Sequence, residues 1–246
     1  MPAGNRNIRR KDPRRRLTYR YDWENDMIIA RLLLVAMFLI SCPLGKECVM
    51  AEADSVKVSA ENRGLKVGTM APDFTAKTYM GNKVVLSDIY KKGPVVLIFY
   101  RGTWCPFCNL HLKAFQSRLK DFEKFGATIL AVSVDKPDSE AKIVKDNSLG
   151  FEVISDTQAE ILKAYKVVYQ VPDGLVQRYR SEYKIDLETY SGRKDNVIAV
   201  PATYVIDKAG KIIFAYANED YQLRTHPQEV LDVLERLRQG IWRVAR

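Results

Sequence analysis

From Lys66 onward, short apolar runs alternate with stretches whose apolar residues recur at helical spacing. Residues 95–100 read Val-Val-Leu-Ile-Phe-Tyr between Gly93-Pro94 and Gly102. A β-branched and aromatic run so bounded predicts a buried strand. Residues 109–125 carry Leu110, Leu112, Phe115, Leu119 and Phe122, which predicts one helix ended by Gly126. A second buried strand is expected over 128–134, and Pro137 opens the next helix. A short strand over 151–154 precedes a helix over 157–165. Segments 203–206 and 212–216 flank Asp207-Lys208-Ala209-Gly210, a turn that predicts a hairpin. Residues 227–238 form a closing amphipathic helix. This succession predicts an α/β layered domain over 65–241.

Residues 169–200 fit the pattern poorly. They read as a long insertion with Pro172-Asp173-Gly174 and a helix near 175–183. Long loops in compact domains often carry function, and a surface elaboration without chemistry fits as well.

The first 51 residues read as a leader, followed by a linker over 52–64. Residues 1–26 are polar, Arg-rich and without apolar period, which predicts disorder. Residues 32–40 are nine uncharged apolar residues directly after Arg31. That length suits the apolar core of a secretory signal and is too short to span a bilayer, which needs about 20 residues. Two exits follow. Leu39-Ile40-Ser41-Cys42 resembles a bacterial lipobox, making Cys42 a lipidation candidate, and Val49-Met50-Ala51 suits signal peptidase. Both Cys42 and Cys48 are otherwise discarded leader residues. The expectation is an exported protein, periplasmic or lipid-anchored, with a cytoplasmic location as the alternative.

Charge sharpens this division. The 246-residue chain carries a net +9, but residues 1–51 hold ten basic and five acidic groups and so account for +5. The near-neutral remainder shows no basic stripe, which argues against nucleic acid. With 47% apolar and 28% charged residues, the composition is that of a globular protein.

The candidate chemistry lies in Arg101-Gly102-Thr103-Trp104-Cys105-Pro106-Phe107-Cys108. Here a Cys-x-x-Cys pair falls where a buried strand gives way to a helix. Unsatisfied N–H groups and partial positive charge at a helix N-terminus stabilise a thiolate. Thiols in such motifs have pKa values lowered from about 8.5 to roughly 3.5–7.5. Pro106 suits the first helical turn, because its missing N–H is not needed there. A zinc site would need a second cysteine or histidine pair, whereas the only histidines are His111 and His226. The spacing, placement and absence of other cysteines in the domain point to redox chemistry.

Ala71-Pro72-Asp73-Phe74, residues 99–116 and residues 200–221 together resemble the peroxiredoxin-like branch of the alkyl hydroperoxide reductase/thiol-specific antioxidant family. The resemblance covers about residues 65–237. It implies a thioredoxin-like fold: a central mixed sheet flanked by helices, an N-terminal hairpin extension and an insertion before the strand that follows Pro201. It also implies a cis bond at Pro201, against the cysteine pair. The sequence departs from the family in two places. The family shows Thr-x-x-Cys with the last residue as peroxidatic cysteine. That cysteine matches Cys108, and the threonine matches Cys105. The peroxide-polarising arginine of the family falls on Pro201. Both changes resemble thioredoxins, in which the first cysteine, here Cys105, attacks. Arg101 is a candidate to supply the missing charge, and Thr103, Trp104 and Pro106 are candidates to support the pair.

The resemblance implies a thiol peroxidase that reduces hydrogen peroxide or alkyl hydroperoxides. It forms a Cys105–Cys108 disulfide and is recycled by a thioredoxin-like protein, with no metal or organic cofactor. A thiol-disulfide oxidoreductase acting on exported proteins is the alternative. The membrane would be met only through an N-terminal anchor, and monomer and homodimer both remain open.

Overall fold

The computed structural model describes residues 63–241, all within one compact unit. The leader, with Cys42 and both processing sites, lies outside the described residues.

The first elements are β1 (Thr75–Lys77) and β2 (Lys83–Val85), an antiparallel hairpin, followed by the short helix α1 (Leu86–Tyr90). Next come β3 (Val95–Phe99), α2 (Pro106–Ser117), α3 (Leu119–Glu123), β4 (Thr128–Ser133), α4 (Pro137–Asn147) and β5 (Glu152–Ser155). Then follow α5 (Glu160–Ala164), β6 (Val168–Gln170), α6 (Asp173–Glu182), α7 (Leu187–Ser191) and β7 (Val197–Ala199). The hairpin β8 (Ala202–Ile206) and β9 (Ile212–Ala217) and the helix α8 (Pro227–Arg238) complete the domain.

The central sheet runs β5-β4-β3-β8-β9. The β3–β4 and β4–β5 pairs are parallel, and β3–β8 and β8–β9 are antiparallel. This is the expected mixed sheet. β3 is buried on both faces, as its unbroken apolar run requires. Val95, Leu97 and Phe99 pack with Tyr165 and Tyr204 on one side. Val96 and Ile98 pack with α2, α4 and α8 on the other, among Leu112, Phe115, Ile143 and Val230. Phe99 lies opposite Val132 on one neighbour and Ala202 on the other. The turn after β3 and the entry to β8 therefore meet at one end of the sheet.

The structure corrects three local expectations. The helix expected over 109–125 begins at Pro106 and breaks at Arg118 (φ −111°, ψ 10°) into α2 and α3. Ser117 Oγ turns back to the Ala114 carbonyl at 2.7 Å, and Arg118 pairs with Asp121 at 2.6 Å. Phe115 and Phe122 then stack, with ring centroids 5.5 Å apart. The helix expected from residue 157 begins only at Glu160, because Ala159 is left-handed (φ 57°) and the Asp156 carboxylate accepts the amides of Glu160 and Leu162. The third correction is at Pro201. No cis peptide bond occurs among the described residues, so the Val200–Pro201 bond is trans. The Val200 amide donates to the Val167 carbonyl at 2.7 Å, and the Pro201 carbonyl accepts from Asn218 at 3.1 Å. The chain thus passes extended from β7 into β8. A cis bond would shorten the Cα–Cα step from about 3.8 to about 2.9 Å and turn it out of that path.

The insertion is structured. β6 and β7 pair antiparallel, and α6 and α7 lie between them in the chain. Val171, Val176, Tyr179, Leu187 and Ile198 form a small core that Trp104, from the turn after β3, joins.

Candidate redox site

Cys105 is the N-cap of α2, with extended backbone (φ −88°, ψ 115°), and Pro106 takes the first helical position. Cys108 faces the core one turn on. Both are buried free thiols. The turn that carries them is shaped by Gly102, where a Cβ would fall 2.3 Å from the Trp104 indole nitrogen. Only glycine lets the indole lie there. The Thr103 amide donates to the Asp135 carboxylate at 2.7 Å. Asn109 Nδ2 donates to the carbonyls of Thr103 (2.8 Å) and Cys105 (3.0 Å). These bonds tie both ends of the turn to the body of the domain.

The two sulfurs differ. The Cys105 thiol is lowered to about 6, chiefly by a hydrogen bond from the Cys108 thiol and then by the Arg101 and Arg224 charges, against the cost of burial. Cys108 is pushed up by burial first and by its hydrogen bond to Cys105 second. The first proton therefore leaves Cys105, and Cys108 keeps its own to donate.

An arginine faces each sulfur. Arg101, 6% exposed, brings Nη1 to 3.8 Å from Cys105 Sγ. Its guanidinium lies 4.1 Å from the Tyr221 ring centroid, 4.9 Å from Trp104 and 5.8 Å from Tyr179, and it donates to the Tyr179 hydroxyl. Contacts of this kind hold a cation without neutralising it. Arg224 places Nη2 3.4 Å from Cys108 Sγ and donates from Nε to the Tyr221 carbonyl at 2.8 Å. Its Nη1 is buried without a partner among the described residues. The loop is anchored by His111, whose Nε2 meets the carbonyl of Thr225 at 2.9 Å. Burial holds this histidine down to about 4, so it is neutral near pH 7.

A buried polar chain lies below the turn. Tyr100 donates to Glu140, Ser133 Oγ donates to Glu140 at 2.6 Å, and the Asp135 amide donates to Ser133 Oγ at 3.0 Å. Burial raises Asp135 to about 6 and pushes Glu140 well up.

The structure brings Arg101, Thr103, Trp104, Cys105, Pro106 and Cys108 onto one turn and helix start. Pro201 lies in the same region, lining a cavity with Arg101. Sequence reasoning missed Arg224, Tyr179, Tyr221 and Asp135. Residues 222–226 have neither apolar period nor motif, Tyr221 only closes the stretch that carries the resemblance, and Tyr179 stands in the insertion that left chemistry open.

Residues 67–215 match the AhpC/TSA family. The chain is 31% identical over 170 residues to chloroplastic peroxiredoxin Q of Populus jackii, covering 69% of this chain and 68% of that one. It is 29% identical over 198 residues to chloroplastic peroxiredoxin Q of Sedum lineare, covering 80% and 87%. Among solved structures it resembles peroxidoxin BcpB of Mycobacterium tuberculosis with a TM-score of 0.56 at 22% identity, covering 70% and 97%. It also resembles a cysteine-to-serine mutant of PrxQ from Xylella fastidiosa with a TM-score of 0.54 at 21% identity, covering 73% and 99%. This chain belongs to the AhpC/TSA family and has its thioredoxin-like fold.

Proposed function

We propose that the protein is a thiol-dependent peroxidase in which Cys105 is the attacking thiolate and Cys108 resolves. The observation that carries this reading is the pair of buried free thiols at the start of α2, with a guanidinium at each sulfur. Kinship with peroxiredoxin Q supports peroxide as the oxidant.

The steps balance. The Cys105 thiolate attacks the terminal oxygen of a hydroperoxide, and the O–O bond breaks. An S–O bond forms, giving a sulfenic acid. The departing alkoxide, or hydroxide from hydrogen peroxide, takes the Cys108 proton. The Cys108 thiolate then attacks the sulfenic sulfur, displacing hydroxide and leaving a Cys105–Cys108 disulfide. Two electrons from a thioredoxin-like dithiol restore both thiols by exchange. Arg101 keeps Cys105 ionised, and Arg224 faces Cys108 across the resolving step.

The test is peroxide consumption coupled to NADPH through thioredoxin and its reductase. Turnover that needs both peroxide and thioredoxin is expected. Disulfide reduction in a substrate protein with no peroxide turnover would place the chain among thiol-disulfide oxidoreductases instead. We further propose that the leader directs export. A mature N-terminus at Glu52, or a diacylglyceryl group on Cys42, in protein from its native host would support this, and an intact Met1 or Met27 would refute it.

A further inference from the structure

A cavity of about 260 Å³ opens at Arg101, whose Nη1 lies 3.8 Å from Cys105 Sγ. Tyr169, Leu175, Ile198 and Pro201 line it, and Arg101 lies in the same wall. Apart from Arg101, most of that wall comes from the insertion between β6 and β8 and the strands that bracket it. The insertion thus shapes the space next to the guanidinium that touches Cys105. The volume selects by size. An apolar cavity of about 150 Å³ holds a benzene ring. The larger space here admits a ring with about three further carbons, and falls just short of the roughly 300 Å³ at which drug-sized pockets begin. Charge selects too. Asp220 also lines the cavity, beside a Glu219 whose carboxylate pairs with Arg63, and the Asp220 carboxylate disfavours a tail that ends in one.

We propose that this cavity is a subsite for the neutral aromatic or branched-alkyl tail of an organic hydroperoxide. The tail lies against Leu175, Ile198 and Tyr169, which puts the peroxide end at Arg101 and Cys105. The chemistry is that of the proposed peroxidase, on which this inference rests, and the product is the alcohol that keeps the tail.

The experiment compares kcat/KM for cumene hydroperoxide and hydrogen peroxide in the wild type and in Leu175→Trp, which fills the cavity from α6. The ratio of cumene hydroperoxide to hydrogen peroxide is expected to fall about tenfold or more, the scale on which a pocket discriminates by shape. Should Leu175→Trp fail to melt cooperatively, Leu175→Phe takes its place. Calorimetric titration of the reduced protein with 2-phenyl-2-propanol, the alcohol product, reads the cavity without turnover. Saturable binding is expected in the wild type and weaker binding in the variant. The proposal is overturned if both peroxides change equally or not at all, if the alcohol does not bind, or if a fatty-acid hydroperoxide is preferred to cumene hydroperoxide. Alcohol binding without peroxide turnover would sink the peroxidase reading and keep the subsite.

Discussion

Arg101 and Arg224 perform similar duties at neighbouring sulfurs, yet the fold holds them by different means. Arg101 leaves the end of the central strand and is enclosed by Trp104, Tyr179 and Tyr221, one ring from its own turn and two from distant segments. Arg224 stands on a loop whose neighbouring carbonyl, that of Thr225, is held by the buried His111. The first guanidinium is fixed by packing over its flat faces. The second is fixed at Nε and at its loop, and retains a buried N–H of Nη1 with no partner among the described residues. A charge that must hold a thiolate between turnovers benefits from the rigid cage. A donor that must meet oxygen atoms appearing only during turnover needs the unpaired N–H.

The sharpest test of that division is the identity of the attacking sulfur. Cys105→Ser is expected to abolish turnover by at least about 10³-fold, the scale of losing a catalytic nucleophile. Cys108→Ser should accumulate a sulfenic acid on Cys105, read by dimedone labelling and peptide mass. A Cys105→Ser protein that forms sulfenate on Cys108 at the wild-type rate would reverse the assignment and with it the roles of the two arginines.

The next largest effect concerns the anchor on the Arg224 side. The folded protein holds His111 at about 4, against 6.5 for an ordinary histidine, because burial disfavours its cation. As pH falls from 6.5 towards 4 the unfolded chain binds this proton first, so stability is lost. The formula for linked protonation puts the loss at about 2 kcal/mol at pH 5. Asp135 and Asp156, both raised to about 6 by burial, act in the opposite direction over the same range. The difference between wild type and His111→Gln cancels these common terms. Chemical denaturation should show the wild-type advantage at pH 7 shrinking by that amount at pH 5. An advantage that does not change with pH would mean that the ring is not buried neutral.

Much of this architecture could be read from the chain, for identifiable reasons. β3 and β4 are unbroken apolar runs, and α4 and α8 announce themselves with a proline at the first turn. The Cys-x-x-Cys pair was visible because strand, turn and helix start are contiguous. What could not be read is what the fold brings together from afar. Arg224 reaches Cys108 across 116 positions, Tyr179 reaches Arg101 across 78, and His111 reaches Thr225 across 114. No local pattern encodes such meetings. The break at Arg118 escaped because Leu119 and Phe122 continue the helical period through it. The expected cis bond at Pro201 came from resemblance, and here the extended path from β7 to β8 takes the trans form.

Within the pair of arginines, Arg101→Gln is expected to have the larger effect. An opposite charge within about 4–6 Å lowers a thiol by one to three units, so losing it should raise Cys105 by at least about one unit. Iodoacetamide alkylation in Cys108→Ser, followed across pH, reads this directly. Because Cys108→Ser removes the hydrogen bond that lowers Cys105 most, the midpoint is expected above the wild-type value of about 6 in both proteins, and clearly higher without Arg101 than with it. Peroxide turnover at pH 7 should fall about twofold for a rise of one unit and about tenfold for a rise of two, as the thiolate fraction drops. A midpoint unmoved by the substitution would leave the aromatic cage without an electrostatic purpose.

Arg224→Gln should produce the smallest change and a different kind of change. The Arg224 charge ranks behind that of Arg101 in lowering Cys105, so the alkylation midpoint should move less than in Arg101→Gln. Its side chain instead meets Cys108, the sulfur that must lose its proton and close the disulfide. Losing one charge-assisted hydrogen bond costs on the order of 1 kcal/mol, or about fivefold in a rate. Stopped-flow fluorescence, with Trp104 beside the pair as the reporter, can separate oxidation of Cys105 from disulfide closure. The expectation is a near-normal first phase and a second phase slowed about fivefold, by the same hydrogen-bond magnitude. Arg224→Lys should recover part of the second phase, since it keeps the charge but not the fork of donors. If Arg224→Gln slows the first phase as much as Arg101→Gln does, the two guanidiniums form one electrostatic unit around the pair, and the division between a caged charge and a free donor falls.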